Sequence, residues 1–61
     1  GEAVWPRYFE NQAGGYVLLG DYAKAYRLYQ EAARREPKYM DWDAAIEKLK
    51  REMERKGVPI P

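Results

Sequence analysis

The chain lacks four side chains that commonly carry enzyme chemistry: its 61 residues include no histidine, cysteine, serine or threonine. It therefore cannot supply a serine, threonine or cysteine nucleophile, nor a histidine general base. Zinc, copper and haem sites built on imidazole or thiolate are excluded, and so is any disulfide. We expect a protein that is not an enzyme and that uses no metal and no cofactor.

The chain also has little excess charge and no long apolar run. Eleven basic and ten acidic residues give a net charge of +1, and no part of the chain forms a basic block. Nucleic-acid binding is not expected, because affinity for phosphate depends on clustered lysine and arginine. The longest apolar run, residues 16–19, is far shorter than the roughly 20 residues of a membrane-spanning helix, so membrane insertion is not expected either.

Apolar residues recur at steps of three and four in three segments, which is typical of helices with one buried face. No segment shows the period of two that is typical of strands. The sequence therefore predicts an all-α fold, an antiparallel helix–turn–helix pair with a third helix packed across it. The predicted helices run from Pro6 to Leu19, from Tyr22 to Glu36, and from the N-cap Asp41 to Lys56.

Proline, glycine and aspartate mark the predicted helix boundaries. Pro6 suits a first helical position, where a missing amide proton costs nothing. Gly20 can end a helix in the left-handed conformation, and Asp21 can cap the next helix. Pro37 stops the second helix, and Gly57 closes the third.

The spacing also predicts which face of each helix is buried. In the first helix the predicted core positions are Trp5, Tyr8, Phe9, Gln12, Tyr16 and Leu19, which leaves Val17 and Leu18 exposed. The wide apolar stripe of the second helix, which implies two neighbours, comprises Tyr22, Ala25, Tyr26, Leu28, Tyr29, Ala32 and Ala33. In the third helix the predicted core positions are Trp42, Ala45, Ile46, Leu49 and Met53.

Small and aromatic residues follow a fixed spacing through the first two helices. The small positions hold Ala13, Ala25 and Ala32, and the aromatic positions hold Phe9, Tyr16, Tyr22 and Tyr29. The turn reads Gly20-Asp21-Tyr22, and Pro37 ends the second helix. In these positions residues 6–39 resemble one repeat of the tetratricopeptide family, a 34-residue helix–turn–helix unit. The resemblance implies that the alanines let the two helices approach closely.

The resemblance also suggests how the chain is divided. The expected parts are a lead-in over residues 1–5, the repeat-like pair over 6–39, a C-terminal capping helix over 40–57 and an extended tail or linker over 58–61. One repeat with such a helix is similar to the C-terminal end of a longer array. A lone unit of this kind cannot bury both of its faces. Either further repeats precede Gly1, or the exposed face pairs with another copy of the chain.

The family's inner surface, lined mainly by the first helix of each repeat, usually holds a peptide. Carried over by position, that surface comprises Arg7, Glu10, Asn11, Gly14, Val17 and Leu18. The resemblance thus implies a non-catalytic interaction module that binds a peptide or a partner helix. The alternative is a structural unit that self-associates or ends an array of repeats in a larger protein. Such a unit could be the accessory domain of an enzyme.

Two further motifs leave alternatives open. Gly14-Gly15 is unusual inside a helix and indicates either a close helix crossing, which we favour, or room for the backbone of a ligand. The pair Asp41 and Asp43 could offer oxygen ligands to calcium, but the acid and glycine of a calcium loop do not follow. Helix capping by Asp41, with Asp43 favoured by the helix dipole, explains both residues.

Aromatic and basic residues can also be interpreted in two ways. The tyrosines could stack on bases or sugars, but most of them fall on core positions, so packing is the expectation. The basic cluster Arg34, Arg35 and Lys38 stands at the end of the second helix. It either complements the negative helix end or binds an acidic partner.

Overall fold

Three helices joined by short turns make up the structure. A computed structural model describes residues 4–61, with side chains from Pro6 onward. The helices are α1 (Val4–Leu18), α2 (Tyr22–Arg35) and α3 (Trp42–Lys56), and residues 4–61 contain no strand. The prediction of an all-α fold is confirmed. The first helix begins two residues before the predicted start, so Pro6 lies inside its first turn, where its missing amide proton still removes no helical hydrogen bond.

The end of α1 is a glycine turn that sends the chain back along the helix. Gly20 has a φ of 83°, the left-handed conformation that glycine adopts at no steric cost. Its amide donates to the Val17 carbonyl (3.0 Å), and the Asp21 amide donates to the Tyr16 carbonyl (2.8 Å). This pair of bonds is the Schellman motif, which satisfies the last carbonyls of a helix.

The end of α3 repeats the same chemistry. Gly57 has a φ of 71° and donates to the Glu54 carbonyl (3.1 Å), while the Val58 amide donates to the Met53 carbonyl (2.8 Å). Both predicted glycine stops are confirmed, because the left-handed conformation that each end requires is one that only glycine adopts readily.

Both aspartates predicted as caps occupy the N-cap positions. The Asp21 carboxylate accepts a hydrogen bond from the Lys24 amide (3.3 Å), and the Asp41 carboxylate accepts one from the Ala44 amide (3.0 Å). Each bond satisfies one amide of a first turn that has no partner within the helix. Asp43 lies in the first turn of α3, where the helix dipole favours a negative charge. Among the described residues, no three potential ligands are grouped as a metal site.

The core is built from alanine methyls and large side chains. Ala13, Ala25 and Ala32 are all fully buried, and α2 contacts both α1 and α3. Methyl groups at these positions let helix axes approach closely, because no longer side chain separates them. The large side chains that complete the core are Tyr22, Trp42, Leu49 and Met53.

The buried face of α1 differs from the predicted one. Tyr8 is 58 % exposed and Leu19 is 81 % exposed, although both were predicted in the core. Val17, predicted to be free, packs against the core cluster instead. The physical reason is that Ala13 faces α2, and Val17 lies one turn further along the same side of the helix. The prediction for Trp5 concerns a side chain outside the described residues.

The close crossing favoured for Gly14-Gly15 is wrong. A Cβ atom added to either residue would meet nothing within 4 Å apart from its own helix. Gly14 and Gly15 are turned roughly 100° and 200° from Ala13 around the helix, so neither lies against α2. The fold of this chain therefore does not need glycine at these two positions.

Residues 58–61 are not helical, as predicted, but they do not extend freely from the domain. Val58 and Ile60 are half-buried and pack against the core cluster. The glycine turn at Gly57 directs the chain back over the core, so two apolar side chains of the tail find a surface to cover.

We expect Ile60→Ala to lower the free energy of unfolding by about 1 kcal/mol, because a half-buried isoleucine loses part of its apolar contact. Urea unfolding followed by circular dichroism measures the change. Pro61→Ala is the matched control, since Pro61 is exposed. Equal stability of the two variants would contradict packing of the tail on the core.

Candidate functional site

A groove of about 390 Å³ lies where the three helices face one another. α1 and α2 each contribute one side chain to it, and α3 contributes the rest. The lining residues are Val17, Tyr29, Ala45, Lys48, Leu49 and Glu52. Most of the lining side chains are thus apolar or aromatic, and the two charged ones, Lys48 and Glu52, both belong to α3.

The helical repeat of α3 explains this division. Ala45 and Leu49 are four residues apart and lie on one side of the helix, with Leu49 buried and Ala45 half-buried. Lys48 and Glu52 form a second row, also four residues apart, next to the first. Because the rows run side by side, a segment lying in the groove would contact apolar side chains and a charged edge together.

Trp42 holds the start of α3 against α2 and packs beside Tyr29, one of the residues that line the groove. The Trp42 indole Nε1 donates to the Glu36 carbonyl at 2.7 Å, which ties the start of α3 to the end of α2. The indole ring stacks on Tyr39 with centroids 5.8 Å apart, and its centroid lies 6.1 Å from that of Tyr29. Trp42 is 2 % exposed, so these contacts hold Tyr29 against a buried ring.

Tyr29, which lines the groove, has a phenol whose pKa is raised. Burial raises the pKa of Tyr29 above its ordinary value, and the negative charge of Glu10 raises it further. At neutral pH the phenol can both donate and accept a hydrogen bond.

One positive charge at the groove edge is available to a partner. Glu52 accepts a hydrogen bond from Arg55 (Nε to Oε2, 3.3 Å), and the pKa of Glu52 is lowered as a result. Lys48 differs: over the residues that the structure describes, no carboxylate oxygen lies within 4.0 Å of its ammonium. An acidic group in the groove would therefore find Lys48 without an existing ion pair.

The six residues predicted to bind a partner lie along one side of α1, within an arc of about 120°, but only one of them, Val17, lines the groove. Val17 lines the groove, and Glu10 acts on Tyr29, while Gly14 is half-buried between them along α1. The other three predicted residues are exposed and do not line the groove: Arg7, Asn11 and Leu18. Val17 also corrects the expectation of an exposed aliphatic, because it belongs to the groove wall and to the edge of the core.

Sequence reasoning missed most of the groove, because its largest wall comes from α3. Ala45 and Leu49 are predicted core positions, whereas Lys48 and Glu52 fall outside the predicted core positions of the third helix. The signal was present in the sequence as an apolar row beside a charged row. The sequence does not show that the boundary between these two rows faces α1 and α2.

A second, shallower depression of about 570 Å³ lies on the surface of α2 and α3, and five of its seven lining residues are polar or charged. Its lining residues are Arg27, Gln30, Glu31, Ala33, Arg34, Asp43 and Ile46. Glu31 bonds both Arg34 and Arg35, the latter at 2.7 Å, and these hydrogen bonds and charges lower the pKa of Glu31. Two arginines of the predicted basic cluster are therefore engaged within their own helix, in its last turn.

Comparison of the chain with protein-family models, with curated proteins and with solved structures gives no match. None of the helices between residues 4 and 61 is both long and apolar enough to cross a membrane. The function of the groove is therefore argued from its own geometry and from the residues that line it.

Proposed function

We propose that this chain is a non-catalytic protein-interaction module of the tetratricopeptide type, which binds an apolar segment of a partner protein in the groove. The observation that carries the proposal is the groove itself, in which Tyr29 and Leu49 form an apolar floor beside a charged edge. Concave, mostly apolar sites with a few placed polar groups are the usual form of a binding site.

The helix pair gives independent support to the family assignment. The three alanines at the family's small positions are fully buried, and Gly20 forms a tight left-handed turn between α1 and α2. These features are the ones that a tetratricopeptide unit uses to bring two helices together. Such units characteristically present a concave surface for extended or helical ligands.

The lining residues suggest the chemistry of the bound segment. A single large apolar side chain would fill the space between Val17 and Leu49. A backbone carbonyl or amide beside it would bond the Tyr29 hydroxyl. An acidic residue one turn away would pair with Lys48, an interaction that fixes orientation more than it adds affinity.

Filling the groove is expected to abolish this binding. In Ala45→Phe a ring takes the place of the partner's apolar side chain, whereas Ala44→Phe adds the same ring on an exposed, non-lining neighbour. The probe is a peptide selected from a random-peptide display library on the wild-type chain, with affinity measured by calorimetry. We expect Ala45→Phe to weaken binding by at least about tenfold and Ala44→Phe to leave it unchanged.

Chemical-shift mapping with the same peptide locates the contact. Perturbed amides around Ala45 and Leu49, together with shifts of the Tyr29 ring, are expected. Equal affinities of the two phenylalanine variants, or shifts confined to another surface, would contradict the groove as the binding site.

A further inference from the structure

The side of α1 that faces away from α2 and from the groove carries apolar groups that the fold does not use. Leu18 is 89 % exposed, Leu19 81 % and Tyr8 58 %, the large hydrophobic side chains most open to solvent between residues 6 and 61. The successive 100° steps of the helix place them on one side. This outer face of α1 comprises Tyr8, Asn11, Gly15, Leu18 and Leu19.

Between Pro6 and Leu18, Arg7 is the one charged residue among the five exposed positions of α1, and it lies at the border of the outer face. By contrast, the exposed positions of α2 and α3 are mostly occupied by arginine, lysine, glutamate and aspartate. A solvent-exposed helix face without a charged residue is the composition expected of a surface that is covered by another apolar surface. At its centre Gly15 keeps the face flat, and a Cβ added there would meet nothing.

We propose that the outer face of α1 pairs with the same face of a second copy of this chain, with the two α1 helices antiparallel. Tyr8 and Leu18 each lie five residues from Ala13, about 7.5 Å along the helix axis in opposite directions. A two-fold axis at the level of Ala13 therefore places Leu18 on the partner's Tyr8, and the contact occurs twice. Gly15 then lies opposite Asn11 of the partner subunit, where its missing side chain lets the helices approach.

The charge beside the outer face favours this antiparallel pairing. Arg7 is exposed at one border of the face, and α1 has no basic residue in its own last turn. In the antiparallel arrangement, Arg7 lies beside the C-terminal end of the partner's α1, where the carbonyl groups carry partial negative charge. The partner's Asp21 adds a negative charge three residues beyond that end. A parallel pair would instead bring Arg7 against the partner's Arg7, which is repulsive.

Sedimentation equilibrium over about 10 μM to about 1 mM tests the association. The wild-type chain is expected to dimerise with rising concentration, and Leu18→Glu is expected to weaken the dimer at least about tenfold. Leu18 makes almost no contact in the monomer, so this variant keeps its fold, as circular dichroism will verify. A monomer at every concentration, or a Leu18→Glu chain that associates as the wild type does, overturns the proposal.

Disulfide trapping tests the direction of the pair, since the chain has no cysteine of its own. Asn11→Cys and Gly15→Cys chains are mixed and oxidised at a concentration at which sedimentation of the reduced mixture shows it to be dimeric, because a side chain at position 15 is expected to weaken the pair. Antiparallel pairing predicts that the mixed disulfide, which joins position 11 of one chain to position 15 of the other, forms in greater yield than either symmetric disulfide (11 to 11 or 15 to 15). A predominance of the symmetric disulfides, or no disulfide at all, overturns the antiparallel arrangement.

The dimer and the groove are separate surfaces, and the variants distinguish them. Ala45→Phe is expected to leave sedimentation unchanged, because Ala45 lies in the groove and not on the outer face of α1. Leu18→Glu is expected to leave peptide binding unchanged, because Leu18 does not line the groove. A wild-type chain that dimerises but binds no peptide would contradict the proposed function alone, and one that binds the peptide but stays monomeric would contradict the dimer alone.

Discussion

Replacing both Gly14 and Gly15 with alanine is expected to raise the free energy of unfolding by about 2 kcal/mol. Glycine inside a helix costs about 1 kcal/mol relative to alanine, because the unfolded chain loses more conformational freedom on folding. An added methyl group at either position meets no neighbour, so no steric cost offsets the gain. For a domain of this size the melting temperature should rise by roughly 10 °C.

Thermal and urea unfolding of the double variant measure the effect. The experiment is best done in the Leu18→Glu chain, so that self-association does not contribute to the measured stability. Gly20→Ala is the matched control and should lose about 1 kcal/mol, because its φ of 83° disfavours a side chain. An unchanged or lowered stability of the double variant would show that Gly14 and Gly15 are packed against another element after all.

The glycine result also bears on function. The two glycines cost α1 about 2 kcal/mol of stability, although nothing within the monomer packs against them. Their missing side chains leave room along the surface of the helix. Gly15 lies on the outer face of α1, so its retention is explained if a second α1 comes close at that point. Gly15→Ala alone should therefore stabilise the monomer while weakening the dimer; urea unfolding in the Leu18→Glu chain measures the first effect, and sedimentation of the single variant measures the second.

Ala25→Leu is expected to lower the free energy of unfolding by about 1–3 kcal/mol. Ala25 is fully buried in the core cluster, and the extra atoms of leucine force the helices apart or push neighbouring side chains out of their preferred rotamers. A domain of 61 residues has only about 3–9 kcal/mol in total. The substitution thus removes a large part of the stability that holds the helix pair together.

The matched control is Ala44→Leu, which places the same side chain on an exposed position of α3. Because leucine and alanine have similar helix propensity, this variant should stay within about 0.5 kcal/mol of the wild type. Urea unfolding measures both variants. If Ala25→Leu is as stable as Ala44→Leu, the small residue is not what sets the distance between α1 and α2, and the resemblance to the tetratricopeptide family loses its physical basis.

The helix boundaries could be predicted because they depend on residues near in sequence. The carboxylates of Asp21 and Asp41 accept hydrogen bonds from amides three residues ahead. The turns at Gly20 and Gly57 are closed by backbone hydrogen bonds between residues no more than five positions apart. Such contacts are already specified by the order of residues. Hence the positions of the caps and stops agree with the structure.

The faces of α1 could not be predicted in the same way. Its apolar residues surround the helix, so spacing alone does not tell which of Val17 and Leu19 is buried. Steps of three and four that start from Trp5 predict Tyr8 and Leu19 in the core, yet both are mostly exposed. The position of one alanine, Ala13, against α2 decided the matter, because only a small residue allows that approach.

The sequence by itself determined how many helices form, where each begins and ends to within two residues, which residues cap them, and which catalytic side chains the chain lacks. Local hydrogen bonds and the inventory of side chains suffice for those conclusions. Only the tertiary structure decided that Val17 and Ile60 pack against the core, that α3 supplies most of the groove, and that Leu19 stays exposed. Burial depends on which surfaces meet in space, and that is settled by helices far apart in the chain.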